Sequence, residues 1–497
     1  MEPITTVFTF IGNVYKSSFN QRNFITLPFN FTINFLPVVI WLFIFKHVGI
    51  LPNEIRPDIH SKVAFLSDQY LFGDYWKELK TQYGVSHYTT ISYFTSIIFA
   101  VLFLLLLPFI AWYYVHYIKK VKFNLVEWYD NVFHFNNQQN TKRLRIILFP
   151  YLTPFLVFVV LNIDHIFAYQ ATENFTKTKD IIAWFSYVIL HVTVPVLTAV
   201  YLYVFHPAGT LKCFSFAMGL QNIAGVFTHI LIPMASPWFT HMYGINDTEH
   251  VNYTQEGFAA GLTRVDNHLG THLNTKGFHM SPIVFGAVPS LHSAIAFQCF
   301  LFLMTRSGSL KHRFINTTIP TTFRKNNEQQ DLEMEPLSLV SNNNSSEDVD
   351  EDECVSSSSS SSDNINALNG VDEDGFKTDV NEVIRYYDED PTITSKWYFK
   401  IFNKGLVPKI LISFFIILQW WTTMYLDHHY RFDLFVGVLY SMISFAIINW
   451  FILQPCVLRE FLDIRMGKIE DNNNEGRTLG MRVFQGTNYE WFFDPLA

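Results

Sequence analysis

The chain runs to 497 residues, of which 17% are aromatic and only 16% charged. Soluble domains carry about 25% charge, so this composition argues against a soluble globular protein and for one solvated by lipid. The net charge of −8 is concentrated in one acidic segment and points to no nucleic-acid partner, and the scattered Cys213, Cys299, Cys354 and Cys456 suggest neither a disulfide framework nor a metal site.

The first ~24 residues lack a basic stretch leading into an apolar core and a small-residue cleavage site, so the first spanning helix is expected to act as the internal signal. A bilayer core needs about 20 apolar residues per helix. Runs of that kind fall at residues 26–45, 92–115, 146–163, 181–205, 213–234, 284–304, 408–427 and 434–454. Pro37, Pro108, Pro154 and Pro195 lie in these runs, as membrane helices tolerate. The fold class expected is therefore all-α, a polytopic membrane protein of about eight transmembrane helices. Residues 1–307 would hold the first six spans and a long loop, and residues 398–457 the last two. Residues 458–497 would form a tail.

Residues 308–397 differ from everything around them. Asn, Ser, Asp and Glu dominate, with an acidic run at Glu347–Glu353 and a serine tract at Ser356–Ser362. Such a segment cannot build a core and is expected to be a disordered insert. Eight spans put both termini and this insert on one side, together with Lys119, Lys120, Lys122, Lys142, Arg143 and Arg145. The positive-inside rule makes that side cytosolic. The opposite side then carries the sequons at Asn174, Asn246 and Asn252.

Two polar islands border the apolar runs on that opposite side. The first is Pro289-Ser290-Leu291-His292-Ser293; the second is His428-His429-Tyr430-Arg431-Phe432-Asp433. A lone interfacial histidine is more often structural than functional, but two such islands on one leaflet favour function. His429 and Asp433 are four apart, which places them on one face of a helix. The carboxylate would orient the imidazole, as in any nucleophile–base–orienter set. His292 supplies a second imidazole, and the set is expected to be capable of phosphoryl transfer without a metal or other cofactor. His429 is assigned as nucleophile, Asp433 as its orienter and His292 as acid, then base. His428 sits off the favoured spacing. Pro289 suits a first helical turn, which would turn the amides of Ser290, Leu291 and His292 toward a phosphate. Ser290 and Ser293 are taken as substrate-binding on that ground. Arg431 is a phosphate partner or an interface anchor. Arg264, near Asp266 in the long loop, is a bidentate phosphate clamp or half of a surface ion pair. Trp238, Tyr253 and Phe258 belong to the aromatic belt or stack on a sugar.

These motifs resemble the type 2 phosphatidic acid phosphatase superfamily, whose second motif reads Pro-Ser-x-His-Ser and whose third ends His-x-x-x-Asp. More narrowly, Ala235–Trp238, Gly261–Asp266, Phe285–Val288 and His428–Asp433 are similar to the fungal inositol phosphorylceramide synthase branch. Within that branch the resemblance is to the inositolphosphotransferases, carried also by Asn20–Asn23, Arg56–His60, Leu71–Asp74, Gly209–Gly225 and Glu490–Ala497. It implies a multi-pass Golgi enzyme with a lumenal site. That enzyme moves inositol phosphate from phosphatidylinositol to a mannosylated inositolphosphorylceramide and releases diacylglycerol, with a small accessory membrane subunit as a further partner. Two departures stand out. Thr422-Thr423 replaces the superfamily's usual Ser-Arg, and Gly49 stands where a first-motif lysine would precede Arg56-Pro57. The alternatives are a ceramide-using inositol phosphorylceramide synthase, a lipid phosphatase, or a non-catalytic lipid-binding protein.

Overall fold

The computed structural model describes residues 2–19, 23–72, 152–163, 167, 175–308, 323–325, 383–388 and 390–497. Seven helices build the region around the polar islands. They are α1 (Leu36–His47), α2 (Val63–Phe72), α3 (Lys177–Phe205), α4 (Thr210–Leu231), α5 (Leu291–Arg306), α6 (Leu406–Tyr425) and α7 (Arg431–Ile448). Among the described residues, four helices are long and apolar enough to cross a bilayer, or five if one bent pair counts as a span. The eight expected are therefore not all seen. The run at 92–115 lies outside the described residues, and that at 146–163 is described only in part, with an apolar helix at Leu152–Leu161.

Local chemistry explains where the seen helices depart from the apolar runs. The run at 26–45 is two helices, Thr26–Asn34 and α1, the latter continuing to Ile50, with a bend of 65° between them. Pro37 sits in the first turn of α1, where its missing N–H leaves nothing unsatisfied. The run at 284–304 becomes helical only at Leu291, because its first residues are extended backbone. There Met234 N donates to Phe285 O at 2.8 Å and Ala287 N to Met234 O at 3.2 Å. The 16 residues left in α5 span about 24 Å at 1.5 Å each, short of the ~30 Å core. In α3, residues Phe185–Leu190 form a π-helical turn, a feature concentrated at functional sites.

Helix α5 is the centre of the bundle, packed against α3, α4, α6 and α7. Phe297, Phe302, Trp420, Leu434, Val438 and Phe445 fill the space between α5, α6 and α7. Apolar side chains alone do not hold helices together in lipid; small residues and interhelical hydrogen bonds do. Gly437 lets α7 approach so closely that a Cβ there would collide with Ser290 O. Ser293 Oγ donates to Leu434 O at 2.8 Å, Ser441 Oγ to Ala294 O at 2.7 Å, and Trp420 Nε1 to Ser293 Oγ at 2.8 Å. Val192, Val196 and Val200 form an exposed apolar stripe on α3, the surface expected to meet lipid.

The end of the bundle away from the islands carries the only strands among the described residues. Phe323–Lys325 (β1) pairs in parallel with Val383–Arg385 (β2), an addition to the all-helical expectation. Part of the expected insert thus takes up structure, and so does the tail. Arg465 is fully buried and bidentate to Asp494 at 2.9 and 2.8 Å, and its Nε donates to Ile384 O. Tyr387 OH donates to the same Asp494 at 2.7 Å, and its ring joins Met481 and Trp491 in a small core.

Candidate active site

The turn between α6 and α7 is built by its backbone. Asp427 takes φ 59°, a left-handed conformation that aspartate tolerates better than most residues. The next two amides, of His428 and His429, both donate to Thr423 O, at 3.0 and 3.3 Å. That closes the C-terminus of α6 and presents both imidazoles to the space at the start of α5. Trp238 N binds Asp427 O and Gly261 N binds Leu426 O, so the long loop is pinned over the same turn.

His429 and Asp433 meet, but not along a helix face. The helix begins only at Arg431, with Tyr430 as its N-cap. Asp433 reaches back from the first turn, where a carboxylate is favoured by the helix dipole. Its Oδ2 accepts from Tyr430 N at 2.9 Å and lies 3.4 Å from His429 Nδ1. Ala287 O is the second acceptor at that nitrogen, at 3.1 Å. With two acceptors before it, Nδ1 carries the proton, and Nε2 keeps the lone pair that a nucleophile needs. His292 stands opposite, its ring centroid 6.0 Å from that of His429.

A cavity of about 170 Å³ joins these groups, lined by His292, His428, His429 and also His229. Its aromatic wall includes Tyr187, Trp238, Phe258 and Phe278. The π-turn of α3 sets Tyr187 on His292, rings stacked 4.2 Å apart, and His191 against the same ring at 4.2 Å. His428 stacks on Tyr187 at 4.9 Å and on Phe278 at 4.8 Å. Trp238 and Phe258 line the cavity, whereas Tyr253 is turned away, donating to Pro57 O at 2.6 Å.

The other sequence-derived site residues lie elsewhere. The N-cap of α5 is Ser290, so Pro289 precedes the helix rather than opening it. Ser290 N donates to Asp433 O at 3.0 Å, which removes it from the amides offered to an anion. Ser290 Oγ accepts from Ser293 N, and Ser293 Oγ is committed to Leu434 and Trp420, so both serines serve the helix junction. Arg264 Nε donates to Asp180 Oδ1 at 3.0 Å, and its guanidinium lies 3.7 Å over the Phe175 ring. Asp266 is occupied by Thr271, Asn274 and Thr275. Burial alone would raise its carboxyl, but those hydrogen bonds prevail and hold it below the usual range. Arg431 is buried 3.8 Å from Asp68, whose Oδ1 accepts from Phe432 N at 2.9 Å. That pairing fastens α7 to α2, and neither arginine lines the cavity. Among the described residues, no group of His, Cys, Asp or Glu is arranged to hold a metal ion.

Burial pushes the His429 imidazole down to about 4, against the opposing pull of Ala287 O. Burial, with the neighbouring His429 adding to it, pushes His428 to about 3. An unfolded histidine titrates near 6.5. Between about pH 6.5 and 4 the unfolded chain therefore binds more protons at these positions than the folded one, and stability falls as pH falls. The melting temperature of the detergent-solubilised protein is expected to drop by roughly 5 °C between pH 6.5 and 4.5. His428→Phe, which keeps a ring between Tyr187 and Phe278, should show a shallower drop; an equal one would remove His428 from this account.

The PAP2 superfamily profile matches residues 159–322, a stretch that contains His292 and stops short of His429 and Asp433. Inositolphosphotransferase 1 of Saccharomyces cerevisiae is 58% identical over 529 aligned residues, covering 100% of both chains. The inositol phosphorylceramide synthase of Candida albicans is 39% identical over 132 residues, 26% of this chain and 27% of its own. The inositol phosphorylceramide synthase catalytic subunit of Schizosaccharomyces pombe is 40% identical over 124 residues, 25% of this chain and 29% of its own. No solved structure matches.

Proposed function

The chain belongs to the family of the yeast inositolphosphotransferase, within the PAP2 superfamily, and on that premise we propose that it transfers inositol phosphate from phosphatidylinositol to a mannosylated inositolphosphorylceramide. The observation that carries the reading is His429. Its Nδ1 is held between Ala287 O and Asp433, while its ring and that of His292 border one cavity.

His429 Nε2 attacks phosphorus as the bond to diacylglycerol breaks, and His292 protonates the departing alkoxide. A positioned general acid contributes about 10²–10⁴-fold to such a step. The phosphohistidine splits one hard displacement into two easier ones. In the second, His292 takes the proton of the acceptor hydroxyl, that oxygen attacks phosphorus, and the P–N bond breaks to restore His429. Asp433 holds the tautomer throughout and stabilises the imidazolium that forms. The site lies on the lumenal side of a Golgi membrane, on the same side as the sequons at Asn246 and Asn252. A small membrane subunit accompanies the chain.

The test uses the purified protein in detergent and phosphatidylinositol labelled in its inositol phosphate. Ceramide and mannosyl-inositolphosphorylceramide are offered separately. Label passing to the mannosylated lipid alone is the expected result. Passage to ceramide would make the chain a synthase like its Candida relative. Soluble inositol phosphate would make it a phosphatase, and no turnover by a folded sample purified together with its small membrane subunit would overturn the enzymatic reading.

A further inference from the structure

Sequence reasoning passed over His229, a histidine near the end of α4 inside an apolar run. Its Nε2 lies 2.9 Å from Pro289 O. A carbonyl only accepts, so Nε2 carries the proton and Nδ1 the lone pair. Nδ1 has no hydrogen-bond partner among the described residues, and the ring lines the cavity. Gly286 lines it too, and a Cβ at Gly286 would come 3.2 Å from His229 Nδ1 and 2.7 Å from Ile283 Cγ2. The missing side chain is what lets the His229 ring pack this closely: a methyl there would press on the ring face beside Nδ1 and tilt it from its seat at the cavity.

The rest of the lining says what kind of group could occupy the room. Among the described residues, no Asp, Glu, Lys or Arg lines the cavity; its polar members are histidines, Ser236, Ser281 and Tyr187. An ammonium headgroup would find no counter-charge there. A polyol needs none: each hydroxyl wants one acceptor and one donor, which neutral imidazoles and serine hydroxyls supply. Buried acceptors built to receive a hydroxyl reject ligands that lack it, because the acceptor is left unpaired.

We propose that His229, seated against Gly286, accepts a hydrogen bond from a hydroxyl of the cyclitol headgroup and so selects that headgroup. This rests on the cyclitol phosphate donor of the reading above. It makes His229 a substrate-reading residue distinct from the phosphoryl-transfer pair.

The test reads binding rather than turnover, so that the two proposals fail separately. The full-length protein in detergent is titrated with phosphatidylinositol, with the analogues each lacking one inositol hydroxyl, and with phosphatidylcholine. The wild type is expected to bind one deoxy analogue about tenfold more weakly than phosphatidylinositol. Gly286→Ala and His229→Leu should bind phosphatidylinositol about tenfold more weakly and lose that discrimination. His229→Asn, whose Oδ1 replaces Nδ1 as acceptor, should regain part of it. Unchanged discrimination in Gly286→Ala and His229→Leu would overturn the assignment. So would phosphatidylcholine binding as well as phosphatidylinositol, which would mean that the aromatic wall reads a quaternary ammonium. Selective, His229-dependent binding without transfer of inositol phosphate would leave this inference standing and overturn the enzymatic reading.

Discussion

Replacing His429 with alanine is expected to abolish both transfer and covalent labelling. Brief incubation of the wild type with phosphatidylinositol labelled in its inositol phosphate, followed by alkaline denaturation, should leave label on the protein as an acid-labile phosphoramidate. The His429→Ala protein should carry none, and its transfer rate should fall by at least about 10⁴-fold, as when other covalent nucleophiles are removed. The physical reason is that no other imidazole at the cavity has the same support. His429 alone has a carboxylate 3.4 Å from Nδ1 and a carbonyl at 3.1 Å. His428 is stacked between rings and His229 is tied to Pro289 O. Label that persists in His429→Ala and disappears in His292→Ala would reverse the two roles.

The second large effect concerns His292 and depends on the leaving group. With phosphatidylinositol, His292→Ala is expected to slow phosphoenzyme formation by about 10²–10⁴-fold, the usual worth of a general acid. With an inositol phosphate ester of a nitrophenol, whose phenolate leaves without a proton, most of that loss should vanish for the first step. The second step, in which an acceptor hydroxyl must lose its proton, should stay slow, so labelled protein accumulates. Equal slowing with both donors would show that His292 positions the substrate rather than moving a proton. The aromatic contacts of His292 with Tyr187 and His191, both at 4.2 Å, predict that its ring is held still for the task.

What the sequence made legible follows from cost. Ionisable residues beside apolar runs are expensive, so His292, His429 and Asp433 stand out against their surroundings. The structure brings the two imidazoles to one cavity with Asp433 directly behind. The arginines left two readings open for a definite reason. A phosphate invites a guanidinium, but Arg264 and Arg431 are taken up by Asp180 and Asp68, partners far away in the chain. His229 and Tyr187 escaped notice because no charged residue adjoins them in sequence. Tyr187 is one aromatic among many in the spans, and it reaches the site through a π-turn that no helical periodicity describes. The start of α5 was placed too early because residues 284–288 are as apolar as the helix, while their backbone is committed to Met234. Apolarity marks burial in lipid; it does not distinguish extended from helical chain.

The parallel pairing of Phe323–Lys325 with Val383–Arg385 brings residues 325 and 385 side by side, although the whole acidic stretch runs between them. Closing a loop costs free energy only logarithmically in its length, about 0.6 kcal/mol per doubling. The bundle that holds His292 before the stretch and His429 after it is therefore insulated from how long that stretch is. A longer or shorter stretch leaves the spacing between the two imidazoles as the helices set it.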